Sequence, residues 1–192
     1  MQKPNGYDEV KVGGDFTPVE LGGHHMIIKG VKEQVNKNGE PMIVVAFDFA
    51  KNDKQPEYFS EQFDKDIRPD KKWPFNGTQY INTMDYQDKS KTSKSFKSFI
   101  TAFERSNNTT AVWGDKFCEQ FKDKKIGGVF GVVEEEYNGE IKKRHKLRWF
   151  CEDNKADSQQ IPQEKLLNSS ISPKSSNDFM NIPDGSAEEI PF

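Results

Sequence analysis

Pro41-Met42-Ile43-Val44-Val45-Ala46-Phe47-Asp48-Phe49-Ala50 is the stretch on which the fold turns. It is rich in β-branched and aromatic residues, the composition of a strand. Its early part is apolar on both faces, so both faces are expected to be covered there. Just before it stands Asn36-Lys37-Asn38-Gly39, and Asn-Gly is a strong hairpin signal because both residues tolerate φ > 0. On the far side of that turn, His25-Met26-Ile27-Ile28-Lys29-Gly30-Val31-Lys32-Glu33 reads as a second strand, β-branched and ending in polar residues. A hairpin follows, and with it a mainly β fold.

Working outward, Glu57-Tyr58-Phe59 is expected to continue the sheet after a polar connection. Residues 60–92 are polar and turn-rich, and read as a long loop or an excursion with short strands. Helical spacing then appears: Phe96, Phe99, Ile100 and Phe103 make one apolar stripe, with Ser93 or Ser95 to cap its start and Asn107-Asn108 to end it. Trp113, Phe117 and Phe121, at four-residue steps, suggest a second short helix. Two strands close the body, Ile126 to Glu134 and Lys142 to Phe150, joined through Tyr137-Asn138-Gly139-Glu140. The glycines Gly127, Gly128 and Gly131 suggest a bend, a bulge or a close backbone approach. About five strands with short helices inserted before the last pair suit a small, partly open, curved barrel of the OB type. A mixed α+β sandwich is the main rival.

The chain has 192 residues, one domain plus a tail. Residues 1–20 read as an irregular lead-in, 21–167 as the folded domain and 168–192 as a tail. No apolar run approaches the about 20 residues of a membrane span. The start, Met1 to Tyr7, lacks the apolar stretch of a signal peptide. Cys118 and Cys151 are too few for a disulfide framework, and a reducing cytoplasm is expected. The net charge of -3 hides an asymmetry: residues 151–192 hold three lysines against eight acids, the rest 25 basic against 23 acidic residues. A weakly basic body with an acidic tail fits a nucleic-acid binder with a separate recruiting segment. From Asn168 to Glu189 the composition is Ser/Asn/Pro/Asp-rich, with too little apolar surface to offset its ordering entropy, and disorder is expected.

Catalysis is not expected. His24, His25, His145, Cys118 and Cys151 have no zinc-site spacing, and no cofactor or metal is implied. The Gly-Gly pairs near the start lack the helix and lysine of a phosphate loop. Asp64-Lys65-Asp66 and Glu134-Glu135-Glu136 are acidic runs of the kind that is usually solvated.

The terminus Glu188-Glu189-Ile190-Pro191-Phe192 resembles the acidic tip of bacterial single-stranded DNA-binding proteins, which ends in Ile-Pro-Phe. The body is similar to a family of small single-stranded DNA-binding-type proteins of bacteriophages and integrative elements. The matching segments are Gly22-Gly23-His24-His25, Lys37 to Met42, Phe47 to Ala50, Tyr58-Phe59, Asp70 to Trp73, Phe96 to Ile100 and Gly127 to Gly131. The resemblance implies an OB-like fold over about residues 20–167. It also implies DNA replication, recombination and repair as the setting, in the cytoplasm of a bacterial host. In its own chemistry the tip offers a large ring and an α-carboxylate on Phe192, a restricted backbone at Pro191 and a second apolar contact at Ile190. A small hydrophobic pocket rimmed by Arg or Lys would take it. Glu188 and Glu189 would speed encounter with a basic partner.

Single strands are held by basic grooves and aromatic platforms. Strict alternation places Lys142, Arg144, Lys146 and Arg148 on one face of their strand, and Lys143, His145, Leu147 and Trp149 on the other. The first set is the expected DNA-facing stripe. Lys29, Lys65, Arg68, Lys71 and Lys72 extend it, and Trp73, Phe75, Tyr80 and Tyr86 are candidate stackers. Trp149, Phe47 and Phe49 are stackers or core. The expected partners are single-stranded DNA, replication and recombination proteins recruited by the tip, and a possible second copy of the chain. A protein-interaction adaptor that does not bind DNA and a strand-annealing recombination factor are the alternatives.

Overall fold

The computed structural model describes residues 17–167 together with Lys3, Asn5, Tyr7 and Asp8. Five strands form one antiparallel sheet: β1 (Gly22–Val35), β2 (Pro41–Phe49), β3 (Thr78–Asn82), β4 (Lys125–Tyr137) and β5 (Glu140–Cys151). Their order across the sheet is β3-β2-β1-β4-β5. Helix α1 (Tyr58–Lys65) and a 3-10 turn (Phe75–Gly77) lie between β2 and β3. Helix α2 (Lys94–Asn107) and a second 3-10 turn (Phe117–Phe121) lie between β3 and β4.

The two Asn-Gly turns are built differently. Asn138 and Gly139 both have positive φ, as a two-residue hairpin demands. The β1–β2 turn is longer, and there only Gly39 does. The Asn36 side chain closes it instead, accepting from the N–H groups of Asn38 and Glu40 at 2.9 and 3.0 Å. β1 bonds to two partners in succession: its start runs beside β4, and from Met26 onward it also runs beside β2. An irregularity between Ile28 and Gly30 bends it between them.

The sheet curls around its core. Two strands separate β2 from β5, which in a flat sheet means about 14 Å. Yet the rings of Phe47 and Phe150 are 6.2 Å apart, with Phe130 6.1 Å from Phe47. Met26, Ile28, Val45, Phe49 and Leu147 also point inward, and the Phe96-Phe99-Ile100-Phe103 stripe of α2 packs against them. Ser93 caps α2 by accepting from the Phe96 N–H at 3.1 Å, and Asn108 ends it in the left-handed conformation. β3 and β5, the two edges, share no ladder, so the curl does not close into a barrel.

Two expectations need correcting. Tyr58 and Phe59 do not continue the sheet but open α1, and the third strand is Thr78–Asn82. The cause lies in β2. Glu57 gives α1 no side-chain cap, and Asp48 supplies it from a distance, accepting from the N–H groups of Phe59 at 2.8 Å and Ser60 at 3.1 Å. Of the two readings of 60–92, the excursion with short strands is the nearer: the stretch holds the rest of α1, a 3-10 turn and the short strand β3. Strict alternation also fails in β5. A register shift opposite Val129/Phe130 inserts one residue, so Leu147 and Phe150 both face the core. Trp149 is thereby turned to the outer face, the side of Lys146.

The chain after β5 is stitched back over the sheet. His25 bonds Asp153 at 2.8 Å and Asp157 at 3.2 Å. A Cβ at Gly23 would sit against the Ala156 carbonyl, so this crossing needs glycine. Arg148 donates to the Gln163 carbonyl at 2.9 Å, and Lys165 bonds through its backbone to Val132 and Glu134 of β4. Among the described residues no helix is long and apolar enough to cross a membrane.

Candidate nucleic-acid interface

The outer face of the curled sheet carries the groups of interest. Val44 of β2 pairs with Lys32 on one side and Tyr80 on the other. Because Val45 and Ile81 face the core, Lys32, Val44 and Tyr80 face outward. On β5, Lys142, Arg144 and Lys146 lie on the corresponding face, opposite Glu135, Val133 and Gly131 of β4.

The two edges of the strand order meet here. In a flat sheet β3 and β5 would stand about 19 Å apart. The curl brings the Lys146 ammonium to 4.8 Å from the centre of the Phe75 ring, just ahead of β3. Such a cation over a ring face is attractive. Phe75 is 6.4 Å from Tyr80 and remains 48% exposed. Tyr80 is half-buried, and burial pushes its hydroxyl pKa upward. A cation, an open ring and a second ring thus share one spot at the open seam between β3 and β5.

One carboxylate governs the charge there. Glu135 accepts from the buried Lys146, and its other oxygen stands 3.7 Å from Nε of Arg144. Lys142 pairs with Glu140 at 3.0 Å, near the tip of the β4–β5 hairpin. Arg148 belongs elsewhere: it is tied to the Gln163 carbonyl, and burial lowers its pKa.

The remaining candidates form two further groups. Trp73 donates from its ring nitrogen to the Gly77 carbonyl at 3.0 Å and packs partly against the core. Phe63 lies 5.6 Å from it, the Lys29 ammonium 5.9 Å above it, and Lys71 4.4 Å over the Phe63 ring. Lys72 is exposed beside them, and Arg68 is engaged by Asp66, whose pKa its guanidinium pulls down to about 2. Lys65 pairs with Glu61 at 2.9 Å on α1. Tyr86 is exposed, 5.0 Å from Lys89, which is itself held at 2.6 Å by Glu40 of the β1–β2 turn. Phe47 and Phe49 are fully buried and belong to the core, whereas Trp149 is 40% exposed. Glu188, Glu189, Ile190, Pro191 and Phe192 lie outside the described residues.

Sequence reasoning passed over Glu135, set aside with its neighbours as a solvated acidic run. The signal was present: counting outward from the Asn138-Gly139 turn pairs Glu135 with Lys142 and Gly131 with Lys146. Among the described residues no group of three or more His, Cys, Asp or Glu is placed to hold a metal ion. No protein-family model matches the chain, and no curated protein matches it.

Proposed function

We propose that this protein binds single-stranded DNA across the seam between β3 and β5. The observation that carries the reading is the meeting of Phe75, Tyr80, Lys146 and Arg144 on one outer face. Bases stack on exposed rings whatever their sequence, and phosphates seek the cations beside them. The strand order supports an OB-like barrel left open at one seam. Such folds take oligonucleotides on the face of their second and third strands and between the β1–β2 and β4–β5 loops. Tyr80, the Asn36–Glu40 turn and the Asn138-Gly139 turn correspond to these parts.

In this reading the protein coats single strands during replication, recombination or repair, and Glu188 to Phe192 recruit partner proteins. The test is titration with fluorescent oligo-dT and with a duplex of equal length at two salt concentrations. The single strand should bind more tightly, with log affinity falling by about 0.7 per neutralised phosphate for each tenfold rise in salt. Equal or absent binding to both would leave the chain as an adaptor. Annealing of complementary strands into large assemblies would favour the recombination factor.

A further inference from the structure

We infer that Glu135 is an internal stand-in for a DNA phosphate, so that binding a single strand is an exchange of one anion for another. The inference rests on the DNA-binding reading above.

Two of the outward cations of β5, Lys146 and Arg144, converge on this one carboxylate. Neither neighbouring acid duplicates it: Glu134 accepts from the Leu167 N–H at 3.4 Å on the other side of β4, and Glu136 lies opposite Ile141. The Lys146 ammonium spans two anchors, the Glu135 carboxylate and the open Phe75 ring. A phosphate following a base stacked on Phe75 would want the place that Glu135 now fills. Among the described residues the carboxylate is held by flexible side chains, those of Lys146 and Arg144, and by no backbone N–H. Side-chain partners let it swing away when a phosphate replaces it, at the cost of its ion pairs with Lys146 and Arg144.

An occupied pair of cations is also selective. A lone anion competes poorly against a tethered carboxylate, whereas a polyanion whose neighbouring bases are already stacked brings its phosphate at high local concentration. Glu135 would thus hold down binding to stray anions while leaving extended single strands able to enter.

The experiment compares oligo-dT affinity and salt dependence for the full chain and for Glu135→Gln and Glu136→Gln. Both variants remove one negative charge from β4, but only the first removes it from the face of Lys146 and Arg144. Glu135→Gln should bind about three- to tenfold more tightly, with a salt slope steeper by up to about 0.7. Glu136→Gln should match the wild type. Equal tightening in both variants would overturn the inference, since the effect would then be one of net charge. Unchanged or weaker binding by folded Glu135→Gln, with the wild type still binding, would overturn it while leaving the DNA-binding reading intact. Failure of all three folded proteins to bind oligo-dT would remove that reading as well. Should Glu135→Gln not fold, Glu135→Asp withdraws the carboxylate by one methylene and should tighten binding in the same direction.

Discussion

Two carboxylates, Asp48 at the end of β2 and Glu135 on β4, hold their partners in opposite ways. Asp48 is buried and accepts from three backbone N–H groups, those of Phe49, Phe59 and Ser60, and from the Ser60 hydroxyl. Its partners are fixed by the chain path, and two of the bonds, from the Phe49 and Phe59 N–H groups, are buried. Glu135 is half-buried; it accepts from Lys146 and pairs with Arg144 at 3.7 Å, both long side chains that reach it from β5. The first arrangement is architecture, because losing it strands buried donors. The second is exchangeable, because a lysine or an arginine can take another anion.

Replacing Asp48 by alanine should sharpen that difference most. Three backbone donors lose their acceptor, and α1 loses its cap, so unfolding in urea should register a loss of about 3 kcal/mol. A loss below about 1 kcal/mol would erase the contrast between the two carboxylates. Phe75→Ala tests the other region. Its ring is half exposed, so thermal stability should fall by less than about 1 kcal/mol. Oligo-dT affinity should weaken by about 1–3 kcal/mol if a base stacks there. A large stability loss with unchanged affinity would move Phe75 to the architectural side.

His25 stands between the two kinds and should give the smallest effect. Burial lowers its pKa, but the bonds to Asp153 and Asp157 outweigh this and leave it raised above 6.5. The stabilisation from protonated His25 is then complete below pH 6.5 and fades as pH rises through the raised value. Melting temperatures followed from below pH 6.5 to above neutrality should show this decline in the wild type, and a flatter profile in His25→Gln. A similar slope in both proteins would assign the decline to other groups. Asp53 behaves differently: burial opposes its charge, yet bonds from His24, Gln55 and the His25 backbone hold its pKa low. Its contribution therefore persists at neutral pH and is lost only as pH falls through that lowered value.

Much of the sheet is legible in the residues. β1, β2 and β4 announce themselves by β-branched residues, β5 by its place across the Asn138-Gly139 turn from β4, and α2 by its stripe and caps. Helix α1 does not, because only Phe59 of its eight residues is buried and its cap, Asp48, lies in the preceding strand. β3 is five residues long and owes its place to pairing with β2 rather than to its own pattern. On the candidate face, Lys142, Arg144 and Lys146 follow from alternation, and Phe75 and Tyr80 from their polar surroundings. What alternation cannot reveal is the extra residue in β5, which turns Trp149 outward and leaves Arg148 to hold Gln163. The meeting of Lys146 with Phe75 depends on the curl of the whole sheet, which no local window contains.

The backbone pairing of Lys165 with Val132 and Glu134 has a consequence for how copies of the chain meet. β1 begins at Gly22, opposite Phe130, so β4 runs on past the end of its neighbour. An uncovered run of N–H and C=O groups there would invite a strand from another molecule. Lys165 occupies that row from within the same chain. The overhanging hairpin is thus blunted against edge-to-edge aggregation.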